Sequence, residues 1–283
     1  MATEYRYLFA DLLTNQIYAE LPLTGVSFGQ ELNTAGSFSG SLLLTDVKID
    51  SYNIASYTNP ARTAIYVDRN GTIVWAGVLW ARDYDSSSQK ITFQAREFES
   101  YFEKRRIATT YTATAVDQFT VVEDLFNQVQ AVSGGNINVV IPTNTSGVLV
   151  TKTYNDYEQK PLTEAVYELS RSNTGFDWNI DVSYDSSYNI VKTLELAYPR
   201  RGTAMVANSV NNIVLEFPGS IIAYKYPEDG SSIATKMYGV GSGSGPGKVL
   251  SAQTSAAQLA HGWPLIEQSV SYTDYSDQTL PGS

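Results

Sequence analysis

The stretch Thr63-Ala-Ile-Tyr-Val-Asp-Arg-Asn70-Gly71-Thr-Ile-Val-Trp75-Ala-Gly-Val-Leu-Trp80 decides the fold class. Asn-Gly suits the positive φ angles of a type I′ turn. On either side, β-branched and aromatic residues crowd the chain, as they do in strands. The stretch therefore predicts a hairpin joining Thr63–Val67 to Thr72–Trp80. The same texture extends outward in both directions. Toward the N-terminus, Tyr5, Tyr7 and Phe9 alternate with Arg6, Leu8 and Ala10, and Ile17, Ala19 and Leu21 alternate with Tyr18 and Glu20. Val26 and Phe28 follow, then a small-residue break at Ala35-Gly36, then Phe38 to Leu44. Toward the C-terminus, Ile91 to Phe98 makes another strand. Period-2 patterning cut by turn residues at short intervals is an all-β signature, and several short strands of this kind suggest a small barrel or sandwich.

The texture changes after Phe102. Lys104-Arg105-Arg106 is the densest basic cluster in the chain. Asp117 then opens a helical pattern with Phe119, Val122, Leu125, Phe126 and Val129 at three- and four-residue spacing. Asp117 suits the N-cap, and Gly134-Gly135 suits a stop. A second helix is predicted from Pro161 to about Ser170, with Pro161 at the first helical position and Leu162, Ala165, Val166 and Leu169 as its buried stripe. Phe176 to Tyr184 and Ile190 to Tyr198 read as a hairpin across Asp185–Asn189, and a second basic pair, Arg200-Arg201, closes the segment. Strand texture returns at Ile213–Phe217, Ile221–Tyr226 and Thr235–Val240, interrupted by the loop Gly241-Ser-Gly-Ser-Gly-Pro-Gly-Lys248. Thr254–Ala260 is a short helical candidate with Thr254 as its N-cap, and the tail from Asp274 is polar. The expected organisation is mainly β with an α+β insertion: residues 1–103, an inserted 104–206, and a second β segment, 207–283. The two basic clusters that bracket the insertion, Lys104, Arg105, Arg106, Arg200 and Arg201, are the candidate interface residues, read either as contacts or as solvated charge.

Composition narrows the chemistry. The chain has 283 residues, no cysteine, one histidine, and 19 Lys+Arg against 29 Asp+Glu, a formal net charge of −10. Without cysteine there is no disulfide scaffold, thiolate metal site or thiol nucleophile. A single histidine excludes HExxH-type zinc sites. Acidity argues against tight phosphate-backbone binding, which depends on Lys and Arg. No apolar run is long enough to span a membrane, and the acidic, apolar-poor N-terminus does not read as a secretory signal. The Gly241–Lys248 loop fails the phosphate-loop pattern, which needs Gly at 242 and Ser or Thr at 249, where Ser242 and Val249 stand. No Gly-x-Ser-x-Gly elbow accompanies His261, which reads as a structural or surface histidine. The carboxylates form no local catalytic or metal-binding arrangement. No catalytic, metal or cofactor residue is therefore assigned, and no enzymatic activity is expected.

Taken in order, several motifs carry a resemblance. They are Gly25-Val-Ser-Phe28-Gly-Gln-Glu-Leu-Asn33-Thr-Ala-Gly36, Ala64–Val67, Asn70-Gly71, Trp75-Ala-Gly-Val-Leu-Trp80-Ala-Arg82, Phe98-Glu-Ser-Tyr-Phe102-Glu-Lys-Arg105 and Gly262–Asp274. The set resembles minor tail proteins of long-tailed actinobacteriophages, and among them tail-tip (baseplate) hub proteins. The resemblance implies two small β-barrels of the tail-tube type with an α+β insertion. It also implies a homotrimeric ring that continues the tail-tube channel and joins it to the tube or distal tail protein, other minor tail proteins and fibres. DNA would pass through without specific binding, and no membrane insertion is implied. The chain would belong to the virion, at the tail tip, after assembly in the host cytoplasm. Chains of this kind often continue past the point where Ser283 stands, which implies a last domain shortened or completed by a neighbour. The 20 tyrosines and four tryptophans keep a glycan- or receptor-binding module as the alternative, with a cell-wall hydrolase behind it.

Overall fold

The computed structural model describes residues 3–44, 54–202 and 214–272. Two compact units divide the chain, Met1–Ala204 and Met205–Ser283.

The first unit begins with β1 (Tyr5–Asp11), β2 (Ile17–Glu20), β3 (Thr24–Phe28), β4 (Ser37–Leu43), a short α1 (Ile54–Tyr57), β5 (Thr63–Arg69), β6 (Thr72–Asp85) and β7 (Lys90–Glu97). These strands form one antiparallel seven-stranded sheet in the order β2-β1-β5-β6-β7-β4-β3. The predicted hairpin is there: Asn70 and Gly71 both take positive φ, 53° and 83°, and the Gly71 N–H donates to Asp68 Oδ1 at 2.8 Å. The sheet runs open by hydrogen bonds, from β2 to β3, and no sheet among the described residues closes into a barrel. Only Leu21, Pro22 and Leu23 separate those two end strands, and a chain that short holds its ends within about 15 Å. The sheet is therefore strongly curled. Phe9, Leu21, Phe38, Ile65, Val67, Trp75 and Phe93 fill the inside of the curl.

Alternation by itself accounts for one buried face. In β5, however, every residue from Thr63 to Asp68 is buried. Ile65 and Val67 point into the curl, whereas Ala64 and Tyr66 belong to a second core. That core is completed by the rest of the unit: α2 (Glu99–Phe102), β8 (Tyr111–Asp117), α3 (Gln118–Gln130), β9 (Val139–Val140), β10 (Leu149–Tyr154), α4 (Leu162–Ser170), β11 (Asp177–Tyr184) and β12 (Ile190–Ala197). The predicted elements form largely where the apolar spacing put them. Asp117 caps α3, with Oδ1 accepting from the Phe119 N–H at 2.9 Å. In α4 Pro161 is the N-cap and not the first helical residue, so the helix begins one residue later than expected. The ring fixes φ but leaves Pro161 at ψ 139°, so the helix starts at Leu162. The hairpin β11–β12 is antiparallel throughout, and β9 adds to β12 in parallel.

In the second unit, β13 (Lys236–Val240) lies between antiparallel β14 (Leu250–Thr254) and parallel β15 (Glu267–Ser271), with α5 (Ala256–Ala260) following β14. Ser255, not Thr254, is the N-cap of α5. Strands were predicted at Ile213–Phe217 and Ile221–Tyr226. Ile213 lies outside the described residues, and residues 214–226 form no strand. Ile222, Tyr224 and Tyr226 are exposed, so among the described residues their apolar texture finds neither a partner strand nor a core. The tail from Asp274 lies outside the described residues.

Candidate functional site

The most elaborated region of the first unit is where the loop between β3 and β4, residues 29–36, meets α2 and β11. Asn33 sits at φ 66°, a conformation Asn tolerates better than most residues. From there its side chain spans two groups of β11. Its Oδ1 accepts from the Trp178 N–H at 2.7 Å, and its Nδ2 donates to Asp177 Oδ1 at 3.0 Å. On either side of Asn33, the Gly36 and Glu31 N–H groups donate to Glu97 Oε2 at 2.7 and 3.3 Å. Burial pushes the Glu97 carboxyl above its ordinary range, against the pull of those two donors.

Glu99, in the first turn of α2, is buried deeper. Its Oε1 accepts from the Ile180 N–H at 2.6 Å, while Oε2 is buried with no hydrogen-bond partner. Desolvation pushes its pKa up to about 8, because burial in a low-dielectric surrounding disfavours the charged form. The Trp178 indole N–H is also buried and unpartnered. Both residues line a cleft of about 310 Å³ shared with Asn33, Thr34, Glu164 and Tyr167. A larger cleft, about 570 Å³, runs between β6 and the β11–β12 hairpin and carries Arg69, Glu97, Asp181 and Glu195. Among the described residues no three His, Asp or Glu side chains are placed to hold a metal ion.

Lys192 is fully buried on β12. Its ammonium donates to the carbonyls of Ile137 at 2.7 Å and Leu12 at 3.3 Å, and lies 4.6 Å from the centre of the Phe98 ring. Burial pulls its pKa down to about 7. It ties the end of β1 to the loop before β9.

The basic residues singled out from sequence have different surroundings. Lys104 is exposed. Arg105 turns inward: Nη2 donates to the Val129 carbonyl at 2.7 Å and Nη1 to the Tyr101 hydroxyl at 3.2 Å. Arg106 is exposed and donates to the Glu103 carbonyl at 2.9 Å. Arg200 is exposed, 3.8 Å from the buried Asp177 carboxylate. Arg201 pairs its guanidinium with Asp181 and its N–H with Asp177 Oδ2 at 2.9 Å. The second pair thus clamps onto the same acid, Asp177, that Asn33 holds. Sequence reasoning missed Glu99, Lys192 and the buckle made by Asn33. His261 is exposed at the end of α5.

No protein-family model matches the sequence, and no curated protein matches it. Solved structures share the fold. Prophage tail protein gp18 from Listeria monocytogenes EGD-e is similar over 96% of this chain and 74% of its own, at 15% identity and a TM-score of 0.51. The 43 kDa tail protein of prophage MuSo2 from Shewanella oneidensis is similar over 97% of this chain and 75% of its own, at 12% identity and a TM-score of 0.55. A chain of the Francisella PdpA–VgrG complex in its half-lidded form is similar over 96% of this chain, at 9% identity and a TM-score of 0.52. This chain spans 44% of that one.

Proposed function

We propose that this chain is a structural, non-enzymatic virion protein of a phage tail tip. In this reading it forms a homotrimeric, ring-like hub that extends the tail-tube channel and connects it to tip and fibre proteins. The observation that carries the proposal is the fold likeness to two prophage tail proteins, which runs over 96% and 97% of the chain. Residues 1–103 and 207–283 are then the two hub domains and 104–206 the insertion. Lys104, Arg106, Arg200 and Arg201 serve as subunit or neighbour contacts.

Three physical features support the reading. The curled sheet leaves β2 and β3 as unpaired ends, and exposed strand edges are templates for pairing with other chains. A ring would place those edges beside neighbours and complete tube-type barrels. In the second unit, Val214, Leu215, Ile222, Tyr226 and Leu265 are exposed, and apolar surface of that extent favours burial against a partner. The net charge of −10 keeps a channel wall from gripping phosphates. The PdpA–VgrG likeness suits an assembly in which this fold meets a tube- or spike-type partner.

Antibody labelling of intact particles tests the proposal. Label confined to the distal end of the tail supports it. Particles that carry no label after partial opening with mild denaturant overturn it.

A further inference from the structure

We propose that the cleft between the 29–36 loop, α2 and the start of α4 binds a hydroxyl-rich ring the size of a single sugar. Glu99 Oε2 and the Trp178 indole N–H are both buried without a hydrogen-bond partner, and both residues line this one cleft of about 310 Å³. Buried polar groups are nearly always paired, and leaving one unpaired is costly. Two such groups on residues that line one cleft call for a common partner.

Their chemistry restricts that partner. The indole N–H only donates, so the ligand must accept. Glu99 accepts when ionised and gains a donor when protonated, so the ligand must also donate and must tolerate either state. A hydroxyl meets all of these demands. A guanidinium or ammonium offers the indole no acceptor. A carboxylate or phosphate offers an ionised Glu99 no donor, and would sit beside Glu164 in a cleft whose lining holds Glu99 and Glu103 but no cation. The remaining wall fits the same class: Asn33 and Thr34 are polar, Glu164 is an exposed acceptor and Tyr167 adds an aromatic surface. The volume lies at the lower end of ligand clefts, enough for one ring. The cleft lies within the first unit and needs no second subunit, so the inference stands apart from the hub reading.

The test is a titration of the isotope-labelled full chain followed through its indole N–H resonances, with Trp178 assigned by Trp178→Phe. The probes are D-glucose, D-galactose and N-acetyl-D-glucosamine, with N-acetyl-arginine amide as the cationic control. At least one sugar is expected to shift the Trp178 resonance saturably at millimolar concentration while Trp75, Trp80 and Trp263 stay in place. Glu99→Leu, which keeps the bulk and removes the hydrogen-bonding group, is expected to weaken that binding about fivefold, the worth of one hydrogen bond. Glu164→Ala, at an exposed position that leaves folding intact, is expected to weaken it as well. The proposal is overturned if no sugar gives a saturable shift, if both variants bind like the wild type, or if only the arginine amide moves the resonance.

Discussion

Asn33 and Trp178 exchange hydrogen bonds across 145 residues of chain: the Trp178 N–H donates to Asn33 Oδ1 at 2.7 Å, and the Asn33 N–H donates to the Trp178 carbonyl at 3.1 Å. A loop of the curled sheet is thereby paired to β11 as if it were a short extra strand. The same asparagine holds Asp177, which in turn receives the Arg201 N–H. The pair sets the position of the loop that walls the sugar-sized cleft.

Removing that buckle separates two effects. Asn33→Ala leaves the Trp178 N–H unpaired and forces alanine into positive φ, for an expected loss of about 2–4 kcal/mol. Asn33→Gly loses the same side-chain bonds but accepts the backbone conformation, so it is expected to be the milder variant. Urea unfolding of both variants checks the order, and equal losses would show that the backbone conformation carries no cost here.

Gly36 closes the same loop. A Cβ at this position would stand 2.1 Å from the Gly29 carbonyl oxygen and 2.7 Å from Glu97 Oε2. Backbone cannot yield as a flexible side chain can, so Gly36→Ala is expected to cost about 1–3 kcal/mol or more through overpacking. Gly71 has nothing within 4 Å of the corresponding point, and Gly71→Ala tests its φ of 83° alone. Thermal unfolding of the two variants compares contact with conformation.

Glu99 makes stability fall as pH rises. Its folded pKa is raised to about 8 from an ordinary 4.5, so between those values the folded state holds a proton that the unfolded state has released. By linkage the advantage is complete below about 4.5 and is lost as pH climbs through about 8. In Glu99→Gln that slope is expected to flatten. Chemical denaturation at a series of pH values between 5 and 8, wild type against variant, reads the difference directly.

Lys192 acts in the opposite direction. Its folded pKa is lowered to about 7 from 10.5, so above pH 7 the unfolded chain holds the extra proton and stability rises with pH. Lys192→Met removes this rise between pH 7 and 9, although it also leaves the Ile137 and Leu12 carbonyls unpaired and lowers stability overall. The slope, not the absolute stability, is the readout. Parallel slopes for wild type and variant would contradict the assignment.

These residues also show where sequence reading reaches its limit. The hairpin at Asn70-Gly71 and the cap at Asp117 were legible because turn and cap chemistry is local. The apolar stripes of α3 and α4 were legible because their period matches the helix. Burial on both faces of β5 was not, since alternation identifies one apolar face and does not say which later element covers the other. Lys192 shares the buried side of β12 with Ile190, Leu194 and Leu196. That register was the available signal, but a lysine there reads as solvent-facing until three separate segments are seen to surround it. The run Ile221–Tyr226 misled in the reverse sense: β-forming residues specify a strand only where a partner edge exists. Of the basic clusters, sequence could not separate Arg105, spent on Val129 and Tyr101, from its exposed neighbours.

The hub reading is tested most directly by counting. Quantitative mass spectrometry of purified tailed particles, with isotope-labelled peptides of this chain as standards, measures its copies per particle. The account predicts three. Absence from the particles, or a copy number that is not a multiple of three, would contradict it.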